Sequence, residues 1–316
     1  MGPSCNDGVA MSVRMTVFRG YLRWRYRHRH DLVRMRRELP TRQLPTQIPP
    51  DVAAMCEVGV REIAGRTVHT LAPRQGATGV HVVHLHGGAY VYTAQAAHWR
   101  ALAHLVSASG ATAHVPLYTL APGGTVEDAH PFVDAVVSRA RTAAAGRAVL
   151  LSGDSAGGGL ALGHALWMRE NGRAAVDGIL LFSPWLDVTL TNPEIAGMER
   201  RDPMLSRPML VEAGRWWAGD RDTTDPLVSP LFGDLAGLPP VTTYIGGHDI
   251  LLPDARELDR RIRAVGGASR LREWTAGFHV FMAALTTKEA RAALSDAARV
   301  LRVGADADQS PISGIG

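Results

Sequence analysis

Residues 148–170 constrain this chain more than any other stretch. The apolar run Val149-Leu150-Leu151 leads through Gly153-Asp154-Ser155-Ala156-Gly157 into a helical stretch that ends near Glu170. A continuous apolar run of that length suits a strand buried on both faces. The small residues after it allow a turn sharp enough to feed a helix back along the strand. Strand, tight turn and packed helix in that order point to a mainly parallel sheet covered on both sides.

The rest of the chain keeps the same rhythm. Strands are predicted at Glu57–Ile63, Thr67–Leu71, Val80–Leu85, Thr112–Leu117, Ala148–Leu151, Gly178–Phe182, Val241–Ile245 and Arg270–Trp274. Helices are predicted at Ala96–Ala108, Val126–Ala145, Ala156–Glu170, Arg207–Trp217, Pro253–Val265 and Lys288–Leu301. A further helix is expected over Ser12–Leu39, stopped by Pro40. The fold class is therefore α/β, and 316 residues at 46% hydrophobic content are enough for one catalytic domain. One stretch breaks the alternation. Between Ser183 and Val241 there is little strand character, and an insertion of that length in an α/β domain is usually functional.

Charge is unevenly spread. Arg14 to Arg37 holds nine Arg and one Asp, a local +8 in a chain whose net charge is +4, so the remainder carries −4. The same arm contains Tyr21, Leu22, Trp24, Tyr26, Leu32, Val33 and Met35, which need a surface to pack on. That mixture reads as a helix with a solvated face. The acidic remainder would repel phosphate, so no nucleic-acid partner is expected. Two cysteines, Cys5 and Cys56, make no disulfide framework. There is no leader-type apolar segment, no apolar run near the ~18 residues of a membrane span, and Asn6 stands where a myristoylation site wants Ser or Thr. These features predict a cytoplasmic protein without stable membrane insertion.

Three motifs carry chemistry. Gly153-Asp154-Ser155-Ala156-Gly157 has the strand and helix that a nucleophile elbow requires, with Ser155 at the strained position. His86-Gly87-Gly88-Ala89-Tyr90 follows the strand ending at Leu85. Its glycines let backbone amides approach a developing oxyanion, so Gly87 and Gly88 are expected as donors together with Ala156. His86 is expected to orient that loop. Asp249 and His279 each follow a predicted strand, where open α/β sheets bind ligands. Ser155, Asp249 and His279 thus read as nucleophile, acid and base. Asp254 is a rival acid, although at a helix start a carboxylate has a structural use. His81, His84 and His86 share a strand but have no carboxylate at a ligand spacing, so neither metal nor other cofactor is expected.

Together with Tyr118-Thr119-Leu120-Ala121-Pro122 and Ser183-Pro184-Trp185-Leu186-Asp187, these motifs resemble the bacterial hormone-sensitive-lipase-like esterases of the α/β-hydrolase superfamily. The resemblance runs from about Val80 to Leu301. Asp249 lies 94 residues after Ser155 and His279 lies 30 after Asp249, separations similar to the family's. There are departures. Thr119 and Gly123 replace the usual Arg and Glu, Ala89 replaces a frequent third glycine, and Asp249 and Asp254 stand one residue further apart than usual.

The resemblance implies an eight-stranded, mostly parallel sheet with a helical cap. Residues 1–50 are expected as an N-terminal cap segment and 51–303 as the catalytic domain, with a cap insertion at about 189–219. Residues 304–316 are expected as a disordered tail. Tyr90, Trp185, Trp216 and Trp217 are expected to bind substrate, a small or medium acyl ester. Lactone or N-acetyl cleavage uses the same machinery and stays open. A non-catalytic binding module is disfavoured because Ser155, Asp249 and His279 are all present. A homodimer, in some relatives formed through the last strand, is also implied.

Overall fold

The computed structural model describes residues 12–44 and 46–303. Expectations about the two ends of the chain, including the tail over 304–316, lie outside those residues. Eight strands form one sheet: β1 Cys56–Ile63, β2 Arg66–Pro73, β3 His81–Leu85, β4 Thr112–Pro116, β5 Val149–Asp154, β6 Gly178–Phe182, β7 Val241–Gly246 and β8 Ser269–Trp274. Their order is β1-β2-β4-β3-β5-β6-β7-β8. β2 runs antiparallel to both neighbours, and β4 through β8 are parallel. All eight predicted strands are present, with ends shifted by at most a few residues.

Strand alternation sorts the apolar residues into two cores. Val83, Leu85, Leu151, Ile179, Leu181 and Ile245 face one. Val82, Leu150, Leu180, Phe182 and Tyr244 face the other. Since both faces of each central strand are buried, side chains of period two read as continuous apolar runs in the sequence. The first core is covered by α2 Leu32–Arg42, α5 Val126–Ala144, α6 Ala156–Glu170, α8 Arg207–Ala218 and α9 Leu252–Ala264. The second is covered by α1 Val13–Arg25, α3 Pro50–Met55, α4 Ala96–Ser109 and α10 Lys288–Val303. A short helix, α7 Ile195–Glu199, lies in the insertion after β6.

The single helix expected over Ser12–Leu39 is two helices. α1 ends at Arg25, with Tyr26 as its C-cap, and α2 starts where the Asp31 carboxylate accepts the Arg34 N–H at 2.9 Å. That N-cap satisfies one of the orphan donors of the new helix. Pro40 does not stop α2, which continues to Arg42. The carbonyl freed by the missing proline N–H is that of Arg36, an exposed residue, so water can satisfy it.

α1 is pinned to the far end of the chain. The Ser12 N–H and hydroxyl donate to the two carboxylate oxygens of Glu289, each at 2.9 Å. Phe18 stacks on Phe278, with ring centroids 5.6 Å apart and planes at 6°. α2 packs against α8. Met35, Leu39, Leu205, Leu210 and Trp217 share one apolar cluster, and Arg36 pairs with Glu212.

Candidate active site

Parallel strands end together, and that brings distant residues to one edge. Asp154 pairs with Phe182, Phe182 with Tyr244, and Gly246 with Trp274. Ser155, Asp249 and His279 lie just past those ends. Ser155 has φ 53° and ψ −122°, a conformation L-residues rarely adopt, between the last residue of β5 and the first of α6. The turn closes because Gly153 and Gly157 lack side chains. A Cβ at Gly157 would collide with the Leu85 carbonyl, and one at Gly153 with the backbone of Gly157.

The three polar side chains form one hydrogen-bonded chain. His279 Nδ1 is 3.0 Å from Asp249 Oδ2, and His279 Nε2 is 2.9 Å from Ser155 Oγ. An ionised carboxylate only accepts, so Nδ1 carries the proton and Nε2 is left to accept from the serine hydroxyl. Asp249 is fully buried, and its other oxygen accepts the Leu251 N–H at 3.0 Å. Burial disfavours the imidazolium of His279. The charge and hydrogen bond of Asp249, with the charges of Asp202 and Asp154, outweigh burial and raise its pKa above the ordinary value.

Asp254, the rival acid, is elsewhere. It is fully buried in the first turn of α9 and accepts from Asn192 Nδ2 at 3.0 Å. Burial raises its pKa to about 7.

The glycine loop requires a correction. The Gly87 N–H donates to Asp154 Oδ1 at 3.1 Å, so it is not free for an oxyanion. Asp154 is buried beside His84 Nε2 at 3.4 Å and His98 Nε2 at 3.6 Å. Burial raises its pKa, but those two rings and the Gly87 N–H lower it further, to well below the usual carboxylate range. The amides of Gly88 and Ala89 donate to no group among the described residues, and both residues line the cavity that holds Ser155. Ala156 opens α6, where the first N–H groups have no intrahelical acceptor. His86 holds the loop from behind. Its Nδ1 is 2.7 Å from the Gly87 carbonyl, its own carbonyl accepts the Tyr118 hydroxyl at 2.7 Å, and its ring stacks on Tyr118. Burial lowers its pKa to about 4, so it is neutral.

Ser155 and His279 sit in a cavity of about 310 Å³. Phe18, Leu22, Met204, Leu205, Met209 and Leu210 supply apolar wall. The expected substrate aromatics do not line it. Tyr90, Trp185 and Trp217 are fully buried and stacked, with Tyr90 4.2 Å from Trp217 and 5.5 Å from Trp185. Tyr90 has φ 62°, a backbone turn reached just after the glycines. Trp216 points away and lies under the Arg36 guanidinium at 5.9 Å. The histidines of β3 also part company. His81 meets His114 at 2.8 Å, and His84 meets Ser152 at 3.2 Å.

A family model for the α/β-hydrolase fold matches residues 82–283. The chain belongs to that α/β-hydrolase family. LipR of Mycobacterium tuberculosis, classed by its name with acetyl-hydrolases, is 32% identical over 76% of this chain and 78% of its own. A protein named esterase from Acinetobacter venetianus is 28% identical over 87% of this chain and 95% of its own. The solved structure of an esterase from the bacterial hormone-sensitive lipase family superposes with TM-score 0.79 at 25% identity, covering 93% of this chain and 99% of that one. The resemblance read from the motifs is thus borne out, and the chain is a hydrolase of the esterase and lipase type.

The roles of two residues of this α/β-hydrolase escaped the sequence reading. Ser183 Oγ accepts the Val280 N–H at 3.0 Å and so fixes the loop next to His279. Asp202, in the insertion after β6, is fully buried. Its Oδ1 accepts from the Met204 and Leu205 N–H groups at 2.7 and 2.9 Å, and its Oδ2 from Ile250 at 2.9 Å. Ile250 is the neighbour of Asp249, so Asp202 ties the insertion to the acid loop. Burial and the nearby Asp249 charge raise its pKa. Asp202 was invisible in the sequence because only the folded chain brings residue 202 to residue 250.

Proposed function

We propose that this protein hydrolyses small to medium acyl esters through an acyl-enzyme on Ser155. The observation that carries this reading is the hydrogen-bonded chain Ser155–His279–Asp249, whose Ser155 and His279 open onto a largely apolar cavity. Ser155 Oγ attacks the ester carbonyl as His279 Nε2 takes its proton, and Asp249 steadies the imidazolium. The negative charge on the carbonyl oxygen is met by the amides of Gly88, Ala89 and Ala156, at the positive end of α6. His279 then protonates the departing alcohol. Water, deprotonated by the same ring, releases the acid and restores Ser155. No metal or other cofactor enters this scheme. A cytoplasmic site of action belongs to the same reading, and Cys56 is a buried free thiol.

In this reading residues from the N-terminal segment and the 189–219 insertion act together as a cap over Ser155. Supporting it, Leu22 and Met35 from the first and Leu205 and Met209 from the second line one cavity. Its test is a series of p-nitrophenyl esters of rising chain length. Hydrolysis should be measurable for acetate through medium chains. Met209→Trp should depress the medium chains by about tenfold more than acetate, since methylene-sized pocket changes alter rates on that scale. Absence of ester hydrolysis would remove the reading, and an unchanged chain-length profile would remove Met209 from the pocket.

Asp202 enters as a positioning residue. The negative charges of Asp249, Asp202 and Asp154 all favour the His279 imidazolium. Removing one negative charge makes the imidazolium less favourable. Asp202→Asn should therefore move the acid limb of the kcat/KM profile to lower pH and lower the plateau by about tenfold through a displaced acid loop. A pH profile superimposable on the wild type would show that the Asp202 charge does not reach His279.

A further inference from the structure

α1 has two apolar faces. At 100° per residue, Met15, Phe18, Leu22 and Tyr26 fall on one side, the side that packs on the protein. Val13, Val17, Tyr21 and Trp24 fall on the opposite side, and they are 79%, 66%, 51% and 62% exposed. Scattered exposed apolar residues are ordinary, but four in register on one helix face are not. Val33 and Leu44, further along the N-terminal segment, are also exposed, at 74% and 62%.

Arginines flank the stripe on both sides. Arg14 and Arg25 fall on one flank and Arg23 on the other, with Arg27 just beyond the helix. Arg14 donates to the Thr286 carbonyl at 3.2 Å and Arg23 to that of Arg201 at 3.5 Å. Arg25 lies over the Tyr26 ring and Arg27 over the Trp24 ring. None of the four pairs with a carboxylate among the described residues, so their charge is uncompensated locally. A tryptophan, a tyrosine and two valines bordered by unpaired arginines match the boundary between acyl chains and anionic headgroups. A second copy of the chain fits less well, because a two-fold contact on this helix would set arginine rows near each other. The stripe is also next to the cavity: Leu22, Arg25 and Tyr26 of the same segment line the space that holds Ser155.

We propose that α1 docks this protein reversibly on an anionic lipid bilayer, with the mouth of the Ser155 cavity held at the lipid surface. The docking is peripheral, since no helix among the described residues is long and apolar enough to cross a membrane. The test is flotation with vesicles of phosphatidylcholine, with or without phosphatidylglycerol, and without substrate, so that failure of the esterase reading would leave it intact. Wild-type protein should float with the anionic vesicles, and high salt should weaken the association. Val17→Ser/Trp24→Ser should weaken binding by at least about tenfold while leaving hydrolysis of a soluble short-chain ester unchanged, because neither side chain lines the cavity. Arg14→Glu/Arg23→Glu should abolish the preference for anionic vesicles. The proposal is overturned if wild-type protein does not float, if both variants float like the wild type, or if the wild type is a solution dimer that Val17→Ser/Trp24→Ser splits.

Discussion

Ser155→Ala should fold like the wild type and lose kcat by about 10⁴-fold or more. The side chain removed is small, and among the described residues the only side chain it bonds is that of His279. Alanine meets the φ of 53° at the turn with much the same strain as serine, so the elbow should persist. What disappears is the atom that attacks. A fluorophosphonate should label the wild type at Ser155 and leave the variant unlabelled. A purified variant retaining a tenth of wild-type activity, or labelled on another serine, would place the nucleophile elsewhere.

The second large effect is at the acid. Asp249→Asn should cut kcat by about 10³–10⁴-fold, because an amide at that place either presents its own N–H groups to Nδ1 or accepts without charge. Asp254→Asn should leave activity close to wild type. Asp254 has a pKa raised to about 7 by burial, so an asparagine resembles its protonated form and can still accept from Asn192. The expected stability change is about 1 kcal/mol or less. Measuring kcat and thermal midpoint for both variants decides the matter. If Asp254→Asn proves the more damaging for turnover, the acid role passes to Asp254.

Sequence alone went furthest where burial is symmetric. Val149-Leu150-Leu151 and Ile179-Leu180-Leu181-Phe182 have no polar face to disguise their period, and β5 and β6 appear where those runs predict them. Chain order likewise set Ser155, Asp249 and His279 at the ends of strands, and the parallel sheet brings their polar atoms within hydrogen-bond reach. What a linear reading lacks is direction. Two adjacent glycines do not say which amide faces the cavity. Asp154 takes the Gly87 N–H and leaves the next two. Tyr90 and Trp185 stand in the motifs and Trp217 in the insertion, yet their rings turn inward and stack. The α1–α2 break was hidden by an arginine-rich stretch whose only stop signal is the Asp31 cap.

The bond between Ser12 and Glu289 has a temporal side. Its partners are 277 residues apart, so the first helix cannot find its anchor until nearly the whole chain has been made. At ribosomal speeds that delay is roughly 14–55 s. For that time Met15, Phe18 and Leu22 have neither Phe278 nor α10 to cover them, and both apolar faces of α1 stay open to solvent. Newly made chains should therefore depend on chaperones through this helix. Stalled chains that end before Phe278 should expose it to a protease, and full-length chains should protect it.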